Sequence, residues 1–176
     1  DITACPGTDT CNLGIASSTG IADVLEDVLK EEYPQFINGK DITIKISGCM
    51  NACGQHNMAE IGFQGMSIKS GKAVAPALQV LLGGGVLGNG EGRFADKVVK
   101  VPSKRGPEAL RVLLSDFDAN ARSDEKFIFS NGNEGSENII AIIEISGMII
   151  ENYAFSNLRN PFIISPKNIK ITLNSV

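Results

Sequence analysis

The sequence has no tryptophan, a single histidine, and aromatic residues at only 6% of its 176 positions. One histidine excludes His-rich metal sites, the two-His, two-Cys Rieske arrangement and H-E-x-x-H proteases. Any catalytic triad would have to be built on His56. A strong charge of either sign is also missing: 20 acidic and 16 basic side chains leave −4, too small and of the wrong sign for a dedicated nucleic-acid binder. The longest apolar stretch, Ile139 to Ile150, is interrupted by Glu144 and falls short of the roughly 20 residues a bilayer span needs, so no membrane partner is expected. No signal peptide is visible, although the chain opens at Asp1 rather than Met and reads as a fragment of a longer protein. What is present is a hydrophobic content of 43%, enough to build a core.

From Leu13 to about Tyr33, Ile21, Val24, Leu25, Val28 and Leu29 recur at helical spacing, with Asp23, Glu26, Asp27, Lys30 and Glu31 on the other face. Pro34 and Asn38-Gly39 stop that helix. The residues before it, Asp1 to Asn12, read as a loop. Ile42, Ile44 and Ile46 alternate with Thr43 and Lys45, a strand over Asp41 to Ser47. Further strands are expected at Glu60 to Met66, Gln79 to Leu82 and Lys97 to Val101, with a glycine-rich loop over Gly83 to Gly92 and a helix over Pro107 to Asn120. The pattern predicts an α+β (α/β) fold, a mixed sheet with flanking helices. Composition then shifts: residues 131–176 hold 11 Ile and 8 Asn, against 10 Ile in the first 130. A boundary is expected at 126, dividing a domain over 1–126 from an Ile/Asn-rich tail over 127–176.

All four cysteines fall in the first 53 residues, as Cys5-x5-Cys11 and Cys49-x3-Cys53. One pair occupies the loop before a helix and the other the turn after a strand. Four thiolates are the usual means of holding a [4Fe–4S] cubane. Gly7, Gly14, Gly48, Ala52 and Gly54 let backbone approach a bulky inorganic core. Isolated buried cysteines, two disulfides and a zinc site compete with that reading. Zinc is the strongest rival, since C-x3-C fits its usual ligand spacing and C-x5-C does not.

The segments ACPGTDTCNLGIASSTG (Ala4 to Gly20) and ISGCMNACGQHNMAEIGFQG (Ile46 to Gly65) resemble the two signature segments of the sirohaem-dependent nitrite and sulfite reductases. Cys11 and Cys49 are separated by 37 intervening residues, close to that family's gap, and PALQVLLGGG followed by GRFADKVVKVPSKRGPEAL resembles what comes next in it. The resemblance runs from about Ile2 to Lys126 and corresponds to the last part of a longer chain. It implies that Cys5, Cys11, Cys49 and Cys53 ligate the cubane, that Cys53 also bridges to the sirohaem iron, and that Asn51 lies near the cofactors. Gln55 follows Gly54 as in many nitrite reductases, where sulfite reductases more often carry Ala-Arg; this tilts the reading toward nitrite.

The resemblance further implies a six-electron oxidoreductase of nitrogen or sulfur assimilation, with cytoplasmic location and a ferredoxin or flavoprotein electron donor. The anion-binding Arg and Lys residues would lie upstream of Asp1, so the fragment would not turn over alone. The alternative is a non-catalytic module using the same cysteines for zinc or for electron transfer. Among weaker signals, Gly83 to Gly88 matches G-x-G-x-x-G but lacks the helix a dinucleotide site needs. Lys97, Lys100, Lys104 and Arg105 form a basic run, read as a solvated strand edge or a docking face for an acidic donor. His56 is read as a hydrogen-bonded structural residue rather than a proton relay, and Met50, Met58 and Met66 as core.

Overall fold

The computed structural model describes residues 1–38, 42–70, 72–88 and 91–120. The expected tail, the boundary at 126 and the turn at Gly39 lie outside the described residues. Strands β1 (Ile2–Ala4), β2 (Ile44–Ser47), β3 (Ile61–Ser70), β4 (Ala73–Leu82) and β7 (Asp96–Pro102) form one sheet in the order β1-β2-β3-β4-β7. β1, β2 and β3 run parallel, whereas β3–β4 and β4–β7 are antiparallel. A two-stranded sheet, β5 (Gly85–Gly88) with β6 (Glu91–Arg93), stands apart from it. Helix α1 (Ser18–Glu32) is the crossover between parallel β1 and β2, α2 (Gln35–Asn38) is a single turn after it, and α3 (Gly106–Asn120) follows β7.

Register explains the core. Ala4, Ile46, Phe63, Val80 and Val99 lie in one row across the five strands, and Ile2, Ile44, Ile61 and Leu82 in the next. These rows pack against Leu25, Val28 and Leu29 of α1 and Leu110, Leu113, Leu114 and Phe117 of α3. The predicted apolar faces of both helices are therefore inward, except that Val24 is 46% exposed at the edge of its stripe. α2 meets α3 through Phe36 and Phe117, whose ring centroids are 5.8 Å apart, and α1 meets α3 through Arg111, which donates in a fork to Glu32 at 2.6–3.0 Å.

Four expectations need correction. Ile2–Ala4, read within a loop, is a strand, because its three residues complete a parallel ladder on Ile44–Ile46. β3 and β4 run on to Ser70 and from Ala73, well past the apolar segments, since a continuous antiparallel ladder carries them outward. The glycine-rich stretch is not a plain loop: β5 and β6 pair within it. Met50 and Met58 are 77% and 49% exposed, because they sit on turns rather than on a periodic face.

Candidate metal centre

The cysteine segments lie at the carboxyl ends of parallel β1 and β2, the side of an α/β sheet where loops are free to form sites. Cys5 continues the ladder past Ala4, its N–H donating to Ile46 O at 3.1 Å. One residue beyond β2, the Gly48 N–H donates to Cys5 Sγ at 3.2 Å. The Gly48 carbonyl accepts from both Ile15 and Ala16, at 2.9 and 3.0 Å. Two segments 43 positions apart in sequence thus meet at the Cys5 sulfur.

Missing side chains make that approach possible. An ideal Cβ on Gly48 would lie 2.7 Å from Gly7 Cα, and one on Gly14 would lie 2.7 Å from the Gly7 carbonyl carbon. Gly7 itself has φ +55°, a conformation glycine adopts without penalty. Cys11 is tied to this junction through its N–H on Gly7 O at 3.0 Å, and Gly14 returns a bond to Cys11 O at 3.0 Å. Asp9 accepts from Ser17 and Thr19, pinning the first loop to the start of α1, where Ser17 caps the Gly20 N–H at 3.2 Å.

The second pair occupies a tight turn. Cys49 is buried and Cys53 exposed. Gly54 donates to Ser47 Oγ at 3.0 Å, folding the turn back on β2 so closely that a Cβ there would lie 2.0 Å from Ile46 O. Among the described residues, Ala52 and Gln55 are the two non-glycine residues with positive φ, 58° and 56°, a conformation costing on the order of 1–3 kcal/mol each. Asn51 is exposed within the turn. Gln55 is also exposed, and its Oε1 accepts from Lys45 Nζ at 2.8 Å.

Burial pushes the Cys5 thiol up, but hydrogen bonds from Ser18, Gly48 and Gly7 together outweigh it and leave the group below its ordinary value. That favours thiolate, the ligating form. All four cysteines are free thiols. Among the described residues, no group of three or more His, Cys, Asp or Glu side chains is gathered tightly enough to hold one metal ion. A soft four-thiol donor set with glycine-lined approaches and an amide aimed at one sulfur fits a multi-iron cluster.

His56 is 4% exposed on the sheet face opposite the helices, and a Cβ on Gly62 would lie 1.9 Å from its carbonyl oxygen. Burial, then the Lys97 charge, hold its imidazole below the usual range, opposed by a hydrogen bond with Gln64. Among the described residues its Nδ1 has no hydrogen-bond partner, so there the expected bonding of this residue is met on one side only. In the basic run, Lys97 and Lys104 are exposed, while Arg105 pairs with Glu108 at 2.7 Å. The fully buried Ser18 beside Cys5 and Gly65 beside Gly48 were not singled out by residue type. Both lie inside the signature segments, which is the one signal that could have found them.

A mixed sheet with two free-thiol loops at its parallel strand ends defines the class of site, and the comparisons with known proteins give the family. The model of the nitrite and sulphite reductase 4Fe-4S domain matches residues 1–145, and the chain belongs to that family. It is 28% identical over 127 residues to an assimilatory ferredoxin-dependent nitrite reductase of Haloferax mediterranei, covering 70% of this chain and 21% of that protein. It is 30% identical over 130 residues to a sulfite reductase [NADPH] hemoprotein beta-component of Staphylococcus haemolyticus, covering 70% and 20%. The solved structure of the NirA protein of Mycobacterium tuberculosis matches with a TM-score of 0.60 at 27% identity, over 72% of this chain and 24% of that one. The chain thus spans about a fifth of the length of these curated relatives. Among the described residues no helix is long and apolar enough to cross a membrane.

Proposed function

We propose that this chain is the cluster-binding part of an assimilatory reductase that converts nitrite to ammonium, with sulfite to sulfide as the competing assignment. In this reading Cys5, Cys11, Cys49 and Cys53 hold a [4Fe–4S] cluster, and Cys53 also serves a sirohaem iron. The cofactor pair, when bound, supplies single electrons to a substrate kept on one metal through six reduction steps. The chain's own part is to fix the thiolates, donate hydrogen bonds to sulfur and keep water from the buried side. The observation that carries the reading is the junction at Cys5, where the Gly48 N–H meets a sulfur 43 residues away within a chain of this family.

Exposure of Cys53 supports its bridging role, since a thiolate shared with a second cofactor must be reachable from outside the loop. Gln55 beside Lys45 supports nitrite over sulfite only through the resemblance that Gln55 carries. A ferredoxin donor is proposed because the Haloferax relative is named as ferredoxin-dependent; a flavoprotein is the other candidate. The test is an absorption spectrum and metal analysis of the full-length protein purified anaerobically from iron-rich culture. Five irons per chain, four from the cluster and one from the sirohaem, with a red-region sirohaem band are expected, and a colourless protein with stoichiometric zinc rejects the reading. A kcat/KM larger for sulfite than for nitrite would overturn the substrate assignment alone.

A further inference from the structure

Ser18 is fully enclosed at the head of α1, at 0% exposure. Its hydroxyl donates to the Cys5 carbonyl at 2.6 Å and lies 3.3 Å from Cys5 Sγ. The slot exists because Gly7 has no side chain: a Cβ there would stand 2.3 Å from Ser18 Oγ. A small apolar residue would fill this space without desolvating a hydroxyl. The same sulfur receives the Gly48 N–H at 3.2 Å, so two polar hydrogens from separate segments converge on one cysteine.

The hydroxyl has one proton and two acceptors in reach. While Cys5 is a thiol, its S–H can donate to Ser18 Oγ, and the Ser18 proton goes to Cys5 O. Once the sulfur ligates iron its proton is gone and it carries negative charge, which makes it the stronger acceptor. We propose that Ser18 is a positioning residue for the metal centre: its hydroxyl turns to the Cys5 sulfur when that sulfur is a ligand and, with the Gly48 amide, raises the cluster's reduction potential. The inference rests on the reading that Cys5 ligates the cluster. Hydrogen bonds to cluster sulfurs favour the more negative, reduced state.

The experiment is a redox titration of the full-length protein, followed by the electron paramagnetic resonance of the reduced cluster, for wild type, Ser18→Ala and Ser17→Ala. Ser17 caps the same helix end and donates to Asp9 of the cysteine loop without a hydrogen bond to Cys5, so its variant reports what loosening α1 and that loop does without removing a contact to the sulfur. At fixed ambient potential, Ser18→Ala should lower the ratio of reduced to oxidised cluster by about threefold or more, roughly 28 mV on the one-electron scale, while Ser17→Ala leaves it unchanged. Equal potentials in wild type and Ser18→Ala overturn the role of Ser18, as does an equal shift in both variants. Should Ser18→Ala not take up the cluster, the wild type decides. A strongly coupled proton that exchanges into D2O faster than the Gly48 amide is expected in its double-resonance spectrum, and its absence overturns the proposal. A wild type that takes up no cluster at all overturns the proposed function instead.

Discussion

A methyl group added to Gly65 would stand 2.3 Å from the carbonyl oxygen of Gly48 and 2.8 Å from Ala16 Cβ. The obstructing atoms belong to backbone and to a short side chain, so nothing flexible can yield. Gly65→Ala must push β3 away from the loop that carries Cys49, and overpacking of this kind costs about 1–3 kcal/mol. The urea midpoint of the variant, measured at unchanged slope, should fall by that energy divided by the slope. A variant as stable as wild type would mean that β3 and the cysteine loop are not in contact.

Leu113 is at 0% exposure on the inner face of α3. Truncation to alanine removes buried methyl groups and leaves a cavity between α3 and the sheet, a loss of about 2–5 kcal/mol. Ser115, exposed on the same helix, is the comparison: Ser115→Ala should change stability by no more than about 0.5 kcal/mol. Equal denaturation midpoints for the two variants would place Leu113 outside the core.

Both large helices and the alternation of Ile42, Ile44 and Ile46 were legible because each buries a periodic face against the sheet. Ile2–Ala4 was not, since three residues carry no period and this strand exists only through its partner β2. The outer end of β4, Ala73 to Pro76, is exposed, and in β3 the exposed Ser67 and Lys69 flank a buried Ile68; cross-strand bonding more than a periodic buried face extends both strands. At the site, cysteine spacing and the family resemblance singled out the thiols. The amide of Gly48 and the hydroxyl of Ser18 could not be read from residue type, because their aim at Cys5 depends on how the chain returns to β2. Met50 and Met58 were misplaced for a related reason: hydrophobicity without periodicity does not say which side of a turn faces water.

His56 predicts a pH dependence. Its buried imidazole is held below the ordinary value, first by burial and then by Lys97, so the unfolded chain binds a proton more readily than the folded one. Above the unfolded value near 6.5 both states are neutral and the group contributes no slope. As pH falls through that value the unfolded state is favoured, and stability drops until the folded group also protonates, at no more than about 1.4 kcal/mol per pH unit. Urea midpoints between pH 7.5 and 5.5 should decline in wild type and flatten in His56→Gln. Parallel curves for the two proteins would show that another group governs this window.

Cys53 and Met58 separate ligation from mere proximity. Both are exposed, within five residues of each other on the same folded-back segment, so a general disturbance of that segment would affect them alike. Met58→Leu conserves volume at a partly solvated position and should leave iron content, spectrum and rate unchanged, with stability within about 0.5 kcal/mol. In the proposed reading, Cys53→Ser removes one of four soft ligands and the atom common to both cofactors. Outer-sphere partners of metal ligands already cost 10–100-fold when lost, and a ligand itself should cost at least ~100-fold in nitrite reduction, with the red-region band displaced or absent. The measurement is iron content, spectrum and turnover of the two variants side by side in the full-length protein. Full activity with an unaltered spectrum in Cys53→Ser would remove Cys53 from the bridge.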